Sequence, residues 1–294
     1  MALTINTNLQ SLIVQKNLNN ATKLLNTAIE RMTTGFKINQ AGDNAAGYSI
    51  ATRWNVNIGS LDVALDNASM GADMLSTLED NYALITSHLQ RIRDLTEQAA
   101  NGTYGSDSLK SISSEITSRL QEIDRISKNT EFNGISLMDG TVKNDIALQV
   151  GLYSDSFSRI SLNKTLFDKS DSGSLFANYG DGEDAIKAIA EACSGYDGTK
   201  ITGNQHEMLT KIDDVINTIS GRVTILGTAK NRVESAIESI GVQSENMTSS
   251  LSTLRDADVA EESSTYIRSQ ILQQAGATLL STANQAPSIA LNLI

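Results

Sequence analysis

The sequence predicts a mainly α-helical protein: an elongated, coiled-coil-like rod formed by both chain ends, with a small β-hairpin region in the middle. Three observations carry this prediction. Apolar residues recur in alternating steps of three and four over long stretches near both ends, the spacing of a helix seam. Hydrophobic residues make up 40% of the chain but aromatics only 4%, which suits thin packed helices of Leu, Ile, Val and Ala better than a bulky globular core. The single proline, Pro287, lies close to the C-terminal end, so the chain before it escapes the roughly 3 kcal/mol that a proline costs inside a helix.

Taken in order, the first seam is Leu18, Ala21, Leu25, Ala28 and Met32. It breaks after Gly35 at a turn-rich segment, 39–44, where Gly42 is expected to supply backbone freedom. A second stripe, Leu75, Leu78, Tyr82, Ile85, Leu89 and Ile92, predicts a helix starting near Ser60 and stopping near Asn101-Gly102, roughly 60 Å long. A third helix is expected over 106–128, with Leu109, Ile112, Ile116, Leu120, Ile123 and Ile126 on one side and Asp107 near its positive end. Asn133-Gly134 and Asp139-Gly140 are turn signals, and alternation between Ile146 and Leu162 predicts a β-hairpin. Residues 168–205, rich in Gly, Ser, Asp and Asn, are expected to form a surface excursion with one short helix near 183–193. The longest stripe steps by four and three from Ile212 to Leu254 and is interrupted only by Lys230 and Ser244. A last helix follows Arg255-Asp256-Ala257-Asp258, whose acids suit its N-terminus, with apolar positions at Tyr266, Ile267, Ile271, Ala275, Leu279 and Ala283.

Composition excludes several function classes. A net charge of −11 argues against binding nucleic acid or anionic lipid, both of which need a basic surface. No stretch approaches the roughly 18 apolar residues of a membrane span, and the N-terminus lacks the pattern of a secretory signal. The one cysteine, Cys193, reads as a small inert residue. A Cys193–His206 nucleophile pair has no third orienting group to support it, and His88 reads as a solvent or interface residue. No phosphate-binding glycine loop or His-Glu-x-x-His zinc motif occurs. The sequence therefore predicts no enzyme, cofactor or metal.

The order short helix, breaker, long helices, β-rich middle, long helix, breaker, short helix is nearly symmetric. It predicts that the two ends pair antiparallel. Short isolated helices are marginal in water, so the seams at Leu18, Leu25, Met32, Ile271, Ala275 and Leu279 call for partners. Identical copies meeting head to tail without closing give an open filament. The alternative is that the termini fold back on their own rod.

The opening MALTINTNLQSLIVQKNLN, the blocks LNTAIERMTTGFKINQAGDNAAGYSIATR, LQRIRDLTEQAANGT and EIDRISKNTEFNG, and the ending RDADVAEESSTYIRSQILQQAGATLLSTANQAP resemble bacterial flagellin over roughly 1–165 and 212–294. The resemblance implies a filament subunit for motility, exported by the flagellar type III apparatus without a cleaved signal peptide and located outside the cell. It implies an inner-tube unit of 1–43 with 255–294, disordered in the free subunit and folding on assembly. It further implies an outer unit of 44–165 with 212–254, and a variable, surface-exposed segment, 166–211. The implied partners are further copies, an export chaperone on the C-terminal helix around 260–293, the filament cap and hook-associated proteins.

The segment from Leu89 to Gln98 also resembles the flagellin surface recognised by Toll-like receptor 5. The matching positions are Arg91, Leu95 and Glu115, with Gln90, Ile92, Arg93 and Gln98 nearby; Asp94 and Thr96 depart from the commonest form. The same face could instead meet a neighbouring subunit. Two other readings stay open: a hook–filament junction protein and a non-polymerising coiled-coil adaptor.

Overall fold

The computed structural model describes residues 8–176, 179, 182–195 and 205–291, with side chains up to 285. The chain divides into two compact units, Met1–Gly59 with Ser244–Ile294, and Ser60–Gln243.

In the first unit, α1 (Leu9–Thr34) starts where the Asn8 side chain accepts from the N–H of Ser11 at 3.1 Å, satisfying one of the free donors of the first turn. It stops at Gly35, whose φ of 76° is left-handed and whose N–H donates to the Arg31 carbonyl at 2.8 Å. α7 (Val259–Leu291) starts at Asp258, which accepts from the N–H groups of Ala260 and Glu261 at 2.8 and 3.3 Å. The expected pairing of the two ends is present and antiparallel. Asn8 Nδ2 donates to the Ala283 carbonyl at 2.7 Å near one end, and Arg31 pairs with Glu262 at 2.8 Å near the other.

The α1 side of this seam holds Leu18, Ala21, Leu25 and Ala28, as the spacing predicts, and extends to Val14, whereas the predicted Met32 is exposed. The α7 side is Glu262, Tyr266, Ser269, Gln273, Gly276 and Leu280, a heptad series that is mostly small or polar. A Cβ added at Gly276 would meet Leu18 at 3.3 Å, so the small residue lets the helices approach closely there.

The segment that follows α1 is tied to the one before α7. Phe36 and Asp256 form an antiparallel bridge, Lys37 N–H donates to the Arg255 carbonyl at 2.7 Å, and Ala257 N–H donates to the Gly35 carbonyl at 2.8 Å. The Arg255 guanidinium lies 4.0 Å from the Phe36 ring centroid, a cation–π contact. The left-handed glycine of this breaker is Gly35; Gly42, expected to play that part, has no positive φ.

α2 runs Ala45–Ala100, so it starts well before the expected Ser60. Asn44 Oδ1 accepts from Gly47 N–H at 2.9 Å, and the proline-free stretch that follows turns Ala51 inward without a large apolar stripe to reveal it.

In the second unit, α2 from Ser60 on, α3 (Ser106–Asn129) and α6 (Gln205–Arg255) supply the core. Leu75, Leu78, Tyr82, Ile85, Leu89 and Ile92 are all fully buried, and the six predicted α3 positions are buried too. On α6 the predicted stripe is buried or half-buried at every position. Lys230 is accommodated there by an ion pair to Glu79 at 2.7 Å.

The hairpin β1–β2 (Glu131–Phe132, Ile135–Ser136) turns at Asn133-Gly134, both at positive φ, as a tight two-residue turn requires. β3 (Ile146–Gln149) pairs antiparallel with β4 (Arg159–Leu162), Ile146 opposite Leu162. A Cβ at Gly71 would run into Leu148, so the glycine admits the hairpin against α2. Tyr82 donates through its hydroxyl to the Leu166 carbonyl at 2.8 Å.

The described residues of 168–195 differ from the expected surface excursion, whose remainder, 196–204, lies outside the described residues. The short helix α4 (Ser172–Leu175) has its Ser172 N–H held by Asp124 of α3 at 2.7 Å. The expected helix is α5 (Glu183–Ser194), and it buries Ala185, Ile186, Ile189, Ala190 and Cys193 while packing on α3. The polar composition of the flanking turns hides a short apolar helix face that the core needs.

Candidate assembly and recognition surfaces

Because the α7 seam uses mostly small and polar residues, with Tyr266 and Leu280 its larger members, most large apolar side chains of that helix point away from α1. Ile267, Ile271 and Leu279 are 54, 59 and 57% exposed, and Leu272 and Ala275 are also exposed. On α1, Leu9, Leu12, Ile13, Leu24, Ile29 and Met32 are exposed as well. An open groove of about 450 Å³ runs between the two helices, lined by Gln10, Ile13, Val14, Leu279, Thr282 and Ala283. The six residues expected to form assembly seams therefore divide. Leu18 and Leu25 are half-buried against α7 within the chain, whereas Met32, Ile271, Ala275 and Leu279 face outward.

The expected receptor face divides too. Ile92 and Leu95 are core residues, 0 and 2% exposed; this corrects the expectation that they lie at an interface. They fall in line with Leu89, Thr96 and Ala99, all buried, one helix face at steps of three and four. Gln90, Arg91 and Gln98 are exposed, and Arg93 and Glu115 are partly so. Arg91 Nε donates to Glu115 Oε1 at 2.9 Å, and Arg119 approaches the same oxygen at 3.7 Å. The Arg91 hydrogen bond holds the Glu115 carboxyl below the usual carboxylate range. Arg93 pairs with Asp213 of α6 at 2.6 Å and with Glu97 at 3.3 Å, and Gln98 donates to the Tyr104 hydroxyl at 2.9 Å. Further along, partial burial and the nearby Arg119 push the half-buried His88 below its usual range. The patch is thus an exposed lattice of ion pairs across α2, α3 and α6. Each such pair contributes little to stability, but together they present fixed guanidinium groups.

Similarity to known proteins decides the family. The model of the bacterial flagellin N-terminal helical region matches residues 5–143, and that of the C-terminal helical region matches residues 209–294. A flagellin of Xenorhabdus nematophila is 35% identical over all of both chains, and one of Listeria innocua is 32% identical over 99% of each. The chain belongs to the flagellin family. Among solved structures, Bacillus cereus flagellin is 26% identical, covers 63% of this chain and 94% of its own, and has a TM-score of 0.46.

Flagellins are structural proteins that build the flagellar filament, an extracellular polymer, and this chain is a subunit of that kind. No helix among the described residues is long and apolar enough to cross a membrane.

The two groups weighed as a nucleophile pair have different surroundings in this flagellin. Cys193 is fully buried, and that burial pushes its thiol up to about 12 against an opposing hydrogen bond with Thr96, whereas His206 is exposed on α6. A shift of that size lowers the thiolate fraction about a thousandfold relative to a free cysteine. The native chain is therefore expected to react with a maleimide at least about a thousandfold more slowly than the urea-unfolded chain. Equal rates, followed by mass spectrometry, would show that the α3–α5 packing opens freely.

Proposed function

We propose that the outward apolar faces of α1 and α7 are the surfaces through which successive copies join, so that the chain alone builds a helical filament. The observation that carries this reading is the exposure of Ile267, Ile271, Ala275 and Leu279 on α7, a four-residue repeat on the side turned away from the partner helix. Such a stripe is stable only when covered. Residues 1–43 with 255–294 form the inner tube, their outer faces covered only on assembly; 44–165 with 212–254 pack outside it, and 166–211 is the segment most open to variation. Export runs through the flagellar type III apparatus, with a chaperone covering the helix around 260–293 until assembly. The filament cap and hook-associated proteins meet the same terminal helices. The chain performs no catalysis. The test is a seeded solution of the purified chain viewed by electron microscopy: long filaments are expected, and removal of 1–34 or of 259–294 should abolish them. A chain that only caps added seeds, without lengthening them, would instead be a junction protein.

The exposed Arg91–Glu115 patch supports recognition by Toll-like receptor 5, with Arg91 as the anchor. A planar guanidinium on a packable stem is a common centre of binding energy. Arg91→Ala is expected to weaken receptor binding by more than about 1 kcal/mol in a surface-plasmon measurement. Leu95→Ala would act through the core and lower thermal stability instead. An Arg91→Ala chain that binds as tightly as wild type would remove the patch from the interface.

A further inference from the structure

The loop between β3 and β4 carries an aromatic side chain that its own unit leaves uncovered. Phe157 is 94% exposed and Tyr153 67%. The loop that bears them is braced throughout. Gln149 Nε2 donates to the carbonyls of Gly151 and Tyr153, both at 2.8 Å. Asp155 accepts from Ser158 N–H at 2.8 Å, Val150 N–H donates to the Ser158 carbonyl at 2.9 Å, and Arg159 donates to the Ser154 carbonyl at 2.7 Å. A Cβ at Gly151 would lie 2.8 Å from Ser158, so the two sides of the loop touch. An exposed Phe on a floppy loop can fold over to hide its ring; this one is held out, with the ordering cost already met.

The same unit carries a matching hole. An open cleft of about 310 Å³ lies between α2 and the two hairpins, lined by Met70, Gly71, Met74, Phe132, Ile135 and Leu148 among others. Met70 and Ile135 are 53 and 44% exposed at its edge. Thioether and aromatic edges are favourable company for a ring. Asp66 and Asp73, both exposed, fall one helical turn either side of Met70 and give this flank a negative charge. The knob carries its cation, Arg159, two residues after Phe157.

We infer that Phe157 of one subunit inserts into the Met70–Ile135 cleft of the next, with Arg159 beside the Asp66–Asp73 flank. The knob stands at one end of the cleft, since Gln149 both lines the cleft and braces the loop; a one-way, heterologous insertion propagates rather than closes, and a second copy is the partner that a filament brings to every cleft. The inference rests on the filament reading above and adds a contact remote from the terminal helices.

The test compares wild type, Phe157→Ser, Met70→Ser and the combined variant in seeded polymerisation, reading the protein left in the supernatant after sedimentation. Both positions are exposed, and circular dichroism and thermal melting of the monomers are expected to match wild type. Each single variant should raise the critical concentration about tenfold or more. The combined variant should be no worse than the poorer single, because both remove one contact. A Phe157→Cys, Ile135→Cys chain should give a ladder of covalent multimers on mild oxidation of its filaments, with buried Cys193 silent; this readout decides the matter if a serine variant disturbs the monomer. Wild-type critical concentrations in all variants, additive effects in the combined variant, or filaments without a ladder would overturn the contact and leave the filament reading standing. A wild-type chain that does not polymerise would overturn both.

Discussion

Replacing Ile267, Ile271 and Leu279 together by serine is expected to raise the critical concentration for polymerisation about a hundredfold or more, while the isolated chain keeps its helices. The three side chains are 54, 59 and 57% exposed, so more than half of each remains to be covered. Full burial of such a side chain contributes about 1.5–3 kcal/mol, and the uncovered part therefore about 1 kcal/mol each. Three together give about 3 kcal/mol per subunit, which is a factor of about a hundred. The matched control is Leu18→Ser. Leu18 lies against Gly276 inside the antiparallel pair, so its loss should lower the stability of α1 against α7 in the single chain. Circular dichroism of the monomer and the supernatant concentration after sedimentation separate the two outcomes. If the triple variant polymerised like wild type, the outer face of α7 would be solvent-facing in the filament, and assembly would have to run through other surfaces.

This division of α7 shows where the sequence was readable and where it was not. On α6, every position of the apolar spacing from Ile212 to Leu254 is buried or half-buried, with Val215 and Ala229 widening the buried face, because the helix packs in a core that apolar side chains fill. On α7 the same rule points to the wrong face. The centre of its intramolecular seam is Ser269, Gln273 and Gly276, which suits close approach rather than area, and Ile267, Ile271, Leu272 and Leu279 are turned outward. An apolar stripe marks a face that needs covering and says nothing of whether the cover lies in the same chain. The opposite error arises at Ile92 and Leu95. Similarity to a recognised surface drew both into the interface, yet the stripe through Leu75, Leu78, Tyr82, Ile85 and Leu89 already assigns Ile92 to the core, and Leu95 follows it by three. In α5, Ala185, Ile186, Ile189, Ala190 and Cys193 have helical spacing, but turn-rich neighbours masked them. Phe157 left no trace in any periodicity, because it stands on a loop where no pattern predicts exposure.

Within the second unit the largest single loss of stability is expected at Tyr82. Its ring is fully buried at the middle of the α2 stripe, and its hydroxyl donates to the Leu166 carbonyl at 2.8 Å, tying the long helix to the turn that follows β4. Tyr82→Ala removes the ring and leaves a cavity, at a cost of about 3–5 kcal/mol. In a unit of this size that lowers the melting temperature by about 6–20 °C. Tyr82→Phe keeps the ring and removes only the donor. The Leu166 carbonyl is then buried without that partner, at about 1–3 kcal/mol. Calorimetry of the two monomers therefore has a required order, with Ala well below Phe and Phe below wild type. Equal losses in both would mean that the hydrogen bond, rather than the packed ring, secures the segment after β4. In that case the apolar stripe of α2 would be holding the other helices while a single polar contact held the hairpin region.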